Sequence, residues 1–273
     1  MKTVDILHVA VLALVQGVTE FLPVGSSADL AVVSPLAGWL NRGPAVELAV
    51  HLGVLGAVAA YLWRDLWAMA VGVFRYFTGR RGGASGARLA FQLAIATLPL
   101  IAAVFLFERY LPGGIASVRV VGWSMLGFGI ALFMADHSGM TIRRVEHLAL
   151  SDAVVIGIAQ MAALVPGAGR PVVTMLAARL LGFERIDAAR FSMLLSIPAL
   201  LGLVVVKGIG LVSLPDGQIS GAAVMAAGLS FVAALIAIAV LMAWLRRSTF
   251  APFVIYRVVV GIALLALGYG WGF

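Results

Sequence analysis

The sequence predicts an all-α polytopic membrane protein made of two inverted-topology repeats, each a re-entrant helical hairpin followed by three transmembrane helices. Three observations predict this. The 273 residues are 63% hydrophobic and 11% charged, with a mean hydropathy of +1.09, whereas a soluble domain carries roughly a quarter charged residues. Six apolar stretches reach the about 20 residues that a helix needs to cross a hydrocarbon core of about 30 Å. Two more apolar stretches, half a chain apart, are interrupted in the middle by Pro and Gly.

Taken in order, the first interrupted region covers about 4–40 and breaks at Leu22-Pro23-Val24-Gly25-Ser26-Ser27. Spans at 46–63, 89–107 and 115–135 follow it. The second interrupted region, about 150–183, breaks at Val165-Pro166-Gly167-Ala168-Gly169-Arg170, and spans at 190–213, 219–245 and 253–271 complete the chain. Each limb of an interrupted region is too short to cross, so each region is expected to enter and leave on one side. Gln16 to Pro23 resembles Gln160 to Pro166, which sets repeat one at about 1–136 and repeat two at about 148–273. A hairpin plus three crossings is an odd number of passages, so the second repeat inserts upside down, an arrangement many transporters use. Met1, Lys2 and the apolar run Ile6 to Val15 resemble a signal peptide, but Asp5 interrupts the pattern and no Ala-x-Ala site follows. The segment reads as mature protein.

The charges give an independent test of this topology. If loop 64–88 is cytoplasmic, so are 136–150, 179–190 and 246–252, and together these loops hold twelve arginines. The other side holds Lys2, Arg42, Arg109 and Arg119. Twelve against four satisfies the positive-inside rule and places both termini outside, in the periplasm if the membrane is a bacterial inner membrane. Lys207, near the outer end of its span, is expected to snorkel. The net charge of +7 therefore sets topology; it does not form a nucleic-acid-binding face. The absence of cysteine excludes disulfides and thiol chemistry.

An ionisable group inside a membrane is costly and marks a candidate site. Glu20 and Asp29 flank the first break, Arg170 sits in the second, Glu47 and His51 lie one turn apart on the first span, and Arg257 is in the last. Both breaks place Gly and small hydroxyl residues just before a new helix, where free backbone N–H groups attract anions. Arg170 adds a forked donor that suits phosphate oxygens. Glu20 and Asp29 can hold a divalent cation or move protons, and Ser26 or Ser27 can attack phosphorus if a base takes the hydroxyl proton. The competing structural readings are a helix cap for Ser27, a buried ion pair for Glu20 and Arg170, mutual satisfaction of Glu47 and His51, and a helix-end contact for Arg257.

The run Gln16 to Leu30, QGVTEFLPVGSSADL, resembles the first signature of the undecaprenyl-diphosphatase family, also called the bacitracin-resistance family, and Pro166 to Thr174, PGAGRPVVT, resembles the second. Further likeness at Leu52-Gly53, Ser192 to Pro198, Pro252-Phe253 and Tyr256-Arg257 extends the resemblance over essentially the whole chain. It implies removal of one phosphate from a polyprenyl diphosphate at the outer face of the inner membrane, with a divalent cation, Mg2+ or Ca2+. By position, it implies catalytic roles for Glu20, Ser26 and Arg170. Beside them Asp29 is a further candidate catalytic group, Thr19, Ser27, Gly167, Thr174, Gln16 and His51 are candidate substrate-binding residues, and Glu20 and Asp29 are the candidate metal ligands.

The signatures also depart from the usual pattern. Gln16 stands where the family has Glu, Gly25 where it has Ser, Ala28 where it has Gly and Asp29 where it has His; Gly169, Pro171 and Val172 replace two Ser residues and a Gly. Asp29 and His51 are the groups able to restore a carboxylate and an imidazole. Two readings therefore stay open: a phosphatase, and a non-hydrolytic binder or translocator of a polyprenyl phosphate or other anionic lipid. A small-anion transporter fits the architecture but explains Thr19 to Pro23 less well.

Overall fold

The computed structural model describes residues 6–25, 43–80, 82–110, 117–138, 142–212 and 220–270. Ser26, Ser27, Asp29 and the second limb of the first interrupted region lie outside the described residues. Those described form ten α-helices: α1 Ile6–Thr19, α2 Pro44–Tyr61, α3 Trp63–Phe77, α4 Ala84–Tyr110, α5 Val118–His137, α6 Leu150–Gln160, α7 Arg170–Leu180, α8 Arg185–Val212, α9 Gly221–Leu245 and α10 Ala251–Tyr269.

Six of these (α2, α4, α5, α8, α9 and α10) are long and apolar enough to cross a membrane. They coincide with the six expected spans. α4 and α8 begin several residues earlier than hydropathy alone indicated, because helix geometry continues past the edge of the apolar run while Arg88 in α4 and Arg185 and Asp187 in α8 find polar partners. One expectation fails: 64–88 is not all loop. Its first part is the helix α3, whose apolar residues recur with helical spacing although the segment is too short to cross.

The middle of the second interrupted region behaves as its sequence indicates. α6 passes through a 3-10 turn, Met161–Leu164, into a non-helical stretch, and α7 begins at Arg170. Both ends of this segment meet Arg143. Its Nη1 donates to Oδ1 of Asp152 at 3.3 Å and to the carbonyl of Leu181 at 3.0 Å, and its backbone pairs with Gly182 and Glu184. α6 and α7 therefore start and finish at the same end of the molecule.

The four arginine-rich loops gather at that end as well. Arg190, at the start of α8, pairs with Asp65 and, at 3.2 Å, with Glu146, while Arg88 donates to the Glu146 carbonyl at 2.7 Å. Asp136, at the end of α5, lies 3.1 Å from Nη2 of Arg179 and 2.7 Å from Nε of Arg185, and accepts the Phe250 N–H at 3.2 Å. Asp136 and Arg179 are each 1% exposed at the side chain, so this carboxylate joins the ends of four helices in a dry environment.

Helices approach closely through small residues, the usual device where lipid removes the hydrophobic drive for helix association. A Cβ at Gly17 of α1 would lie 2.8 Å from the Ser230 carbonyl of α9, and one at Gly157 of α6 would lie 2.5 Å from the Ala96 carbonyl of α4. The broken helix of each chain half thus packs on a span of the other half. α5 and α10 pack together, as do α2 and α9.

Candidate functional site at the two broken helices

The last turn of α1 closes with the Glu20 N–H donating to the Gln16 carbonyl at 3.0 Å. The chain then leaves helical geometry through Pro23 and reaches Gly25 at a φ of +103°, a conformation that suits glycine. The second break carries Gly167 and Gly169 at φ +89° and +76°. Arg170 and Pro171 open α7, where proline has no amide that the helix would use.

The two breaks meet. A Cβ on Gly169 would stand 3.3 Å from Cα of Gly25, and one on Gly25 would stand 3.4 Å from the Gly167 carbonyl. Arg257 of α10, 0% exposed, fixes this junction. Its Nη1 donates to the Val24 carbonyl at 3.3 Å, and its Nη2 donates to the Gly167 carbonyl at 2.9 Å and to the Ser124 carbonyl at 3.4 Å. Non-helical backbone in a membrane needs its carbonyls satisfied. A forked guanidinium does this for both breaks at once. Gly129 on α5 makes room, since a Cβ there would stand 3.3 Å from Cβ of Arg257.

On one side of the junction, Nη2 of Arg170 lies 2.8 Å from Oε1 of Glu20, with both side chains about one sixth exposed. Nη1 of Arg170 reaches the Ser196 carbonyl of α8 at 3.4 Å. Gln16, one turn before Glu20, places Nε2 3.3 Å from Nε2 of His51, while Nδ1 of His51 lies 2.7 Å from the Glu47 carbonyl. These contacts agree with a single tautomer: Nδ1 donates to the carbonyl, and Nε2 accepts from the Gln16 amide. The Glu47 carboxylate pairs with Lys207. Lys207 therefore does not snorkel freely, as the sequence suggested, but is held by α2.

The remaining expected site residues are placed as follows. Thr19 is buried beside the first break. Thr174 is 1% exposed and its hydroxyl is engaged by the Arg170 carbonyl at 2.9 Å and by Oγ of Ser192 at 2.6 Å, which ties α7 to α8. Ser26, Ser27 and Asp29 lie outside the described residues. Among the described residues, no group of three or more His, Cys, Asp or Glu side chains is placed to hold a metal ion. Glu20 is the one expected ligand described, and it contacts Arg170 rather than a second carboxylate. The described donor set does not by itself fit a metal.

The sequence missed the role of Arg257 as the bracket of both breaks, and the Asp136 hub altogether. The cost of placing an arginine in a span was a usable signal for Arg257. Asp136 sits at a span end, where a charge is ordinary, and nothing in the sequence marks it as buried.

The arrangement joins two guanidiniums, one carboxylate and the N-terminus of α7 around a single junction. A protein named undecaprenyl-diphosphatase 1 from Rhodospirillum rubrum is 48% identical over 97% of this chain and 95% of its own length. Proteins named undecaprenyl-diphosphatase from Jannaschia sp. and Ruegeria pomeroyi are 44% and 40% identical, covering 94% and 97% of this chain and 97% and 99% of their own lengths. A family model described as "Bacitracin resistance protein BacA" matches residues 9–263, so with its paired breaks and near-complete matches this chain belongs to the BacA family.

Proposed function

We propose that this protein hydrolyses undecaprenyl diphosphate, with water, to undecaprenyl monophosphate and inorganic phosphate. The observation that carries this reading is the meeting of Glu20 and Arg170 at a junction of two broken helices, in a chain that belongs to a family whose relatives bear that name. The departures in the signatures leave Glu20 and Arg170 in contact, which favours hydrolysis over mere binding or translocation of an anionic lipid.

In this reading Arg170 and the α7 N-terminus take the charge of the terminal phosphate, where preorganised donors act most strongly in a water-poor site. Glu20 positions the guanidinium and is, among the described residues, the carboxylate in contact with it and so the one placed for proton transfer. Ser26, by its resemblance to the family signature, either attacks the terminal phosphorus, giving up its proton and displacing undecaprenyl monophosphate, with water then releasing phosphate from the serine, or orients the water that displaces the monophosphate directly. Gln16 and His51 flank the same turn of α1, and Thr19, Ser27 and Gly167 border the headgroup. A divalent cation on Glu20 and Asp29 is part of the proposal, and chelation tests it.

The polar residues suggest the route of access. Glu47 and Lys207, then His51, Gln16 and Glu20, run inward from the end opposite the arginine-rich loops. With those loops cytoplasmic, the site opens to the outer face of the inner membrane and both termini lie on that side. The exchange of broken helices between the chain halves supports the inverted-repeat reading, with hairpins over about 4–40 and 150–183. The test is phosphate release from undecaprenyl diphosphate by purified protein, with and without a chelator. Release no greater than that of Glu20→Ala removes the enzymatic reading.

A further inference from the structure

α3, Trp63–Phe77, is the one helix of the arginine-rich end with no assigned task, and its surface divides into three sectors. Met69 and Gly72 are buried, and Gly72 packs on α4, where a Cβ would stand 2.5 Å from the Ala87 amide. A second sector is apolar and open: Trp63 is 58% exposed, Trp67 68%, Phe74 59% and Phe77 74%. With Ala70, these residues recur at intervals of four, three, four and three, which is a straight stripe on an α-helix. The third sector flanks the stripe and carries Arg64 and Arg75, eleven residues or three turns apart. Arg64 stacks on the Trp63 ring at 5.6 Å, and Arg80 follows just beyond the helix. Among the described residues, none of these three arginines pairs with a carboxylate, whereas Asp65 is taken by Arg190.

A stripe of Trp and Phe beside a row of Arg is the surface of a helix that lies in the plane of a membrane interface. α3 is fifteen residues long, too short to cross, and it sits at the end where α4 emerges with its own Arg88. We propose that α3 lies flat in the headgroup layer of that leaflet, with its aromatic stripe among the acyl chains and Arg64, Arg75 and Arg80 bound to anionic phospholipid headgroups. The occupant is a lipid surface. The unpaired guanidiniums select it, since a protein partner for the stripe alone needs no row of cations. This surface is separate from the junction of the broken helices, so the proposal stands or falls independently of the enzymatic reading.

Two measurements on the purified full chain test it. In the first, mixed micelles containing phosphatidylglycerol or phosphatidylcholine are added and the Tm is followed, since a ligand of the folded state raises it. Phosphatidylglycerol should raise Tm more than phosphatidylcholine, and the variant Arg64→Gln/Arg75→Gln/Arg80→Gln should lose at least half of that difference. Equal shifts in the wild-type protein, or an undiminished difference in the variant, overturn the proposal. In the second, Trp fluorescence in liposomes is quenched by lipids brominated near the headgroup. Trp63→Phe/Trp67→Phe should lose a clear share of the quenchable signal. If the two proteins are quenched alike, the stripe is covered by protein or exposed to water, and the in-plane placement is wrong.

Discussion

The guanidinium of Arg170 and the carboxylate of Glu20 stand 2.8 Å apart although 150 positions separate them in the chain. They form one unit, so their removal should not be additive. Glu20→Gln and Arg170→Gln are each expected to lower kcat/KM for undecaprenyl diphosphate by a factor on the order of 10² to 10³. The double variant should be little worse than either single one. Steady-state phosphate release from all four proteins completes the cycle, and fully multiplicative losses would separate the two residues functionally.

Arg257 is expected to matter first for stability. Arg257→Met removes the donation that Arg257 makes to the buried carbonyls of Val24 and Gly167, at a cost of about 1–3 kcal/mol for any group left unsatisfied. Arg257→Lys should recover part of the Tm, because an ammonium can reach one carbonyl but lacks the planar fork that serves two. Thermal unfolding in detergent distinguishes the three proteins, and identical Tm values would remove the bracket role.

Gly167 and Gly208 offer a contrast between a crowded position at positive φ and an open position within a helix. Gly167→Ala would put a methyl group 2.5 Å from the Val121 carbonyl at a φ of +89°, whereas a Cβ at Gly208 meets nothing within 4 Å. The first should lower both Tm and activity sharply. The second should be neutral or stabilising by up to ~1 kcal/mol, as for Gly to Ala in an ordinary helix.

Asp136→Asn should be far more damaging than Arg144→Gln. Asp136 is buried between Arg179 and Arg185, and breaking a buried pair costs about 3–5 kcal/mol because a charge is left uncompensated. The Arg144–Glu184 pair, at 3.4 Å, is open to solvent, and such pairs contribute about 1 kcal/mol or less. Comparing the two Tm values checks the ranking.

His51→Gln tests whether the imidazole moves a proton. Glutamine can still hydrogen-bond to Gln16 but has no ring nitrogen to pass a proton on. Turnover is expected to fall by a factor on the order of 10² with little change in Tm. Unchanged turnover reduces His51 to a packing contact between α1 and α2.

The sequence made the architecture legible where a single physical requirement dominated. Six spans followed from the need to bury backbone polarity in lipid, and Pro23, Gly25, Pro166 and Gly167 announced breaks because no other residues interrupt a helix so directly. The arginine bias grouped four loops that the structure brings to one end through Arg190, Glu146, Arg88 and Asp136. What escaped the sequence depends on partners distant along the chain. His51 meets Gln16 rather than the side chain of Glu47, Lys207 is captured by Glu47, and Thr174 turns to Ser192. None of these pairings has a local pattern, because each depends on how α1, α2, α7 and α8 dock. α3 escaped for another reason: a search for crossing segments discards a short charged helix, although its periodicity was present in the letters.

The glycine contacts of α1 and α6 also bear on how the chain is made. Gly17 lets α1 approach Ser230 and Gly157 lets α6 approach Ala96, so each interrupted helix makes a close contact with a span from the other half of the polypeptide. During synthesis, α1 with Gln16 and Glu20 cannot make this contact until α9 has been made. Two separately expressed fragments, divided between α5 and α6, should each be degraded alone and survive together, making biogenesis of this protein a problem of timing as much as of hydrophobicity.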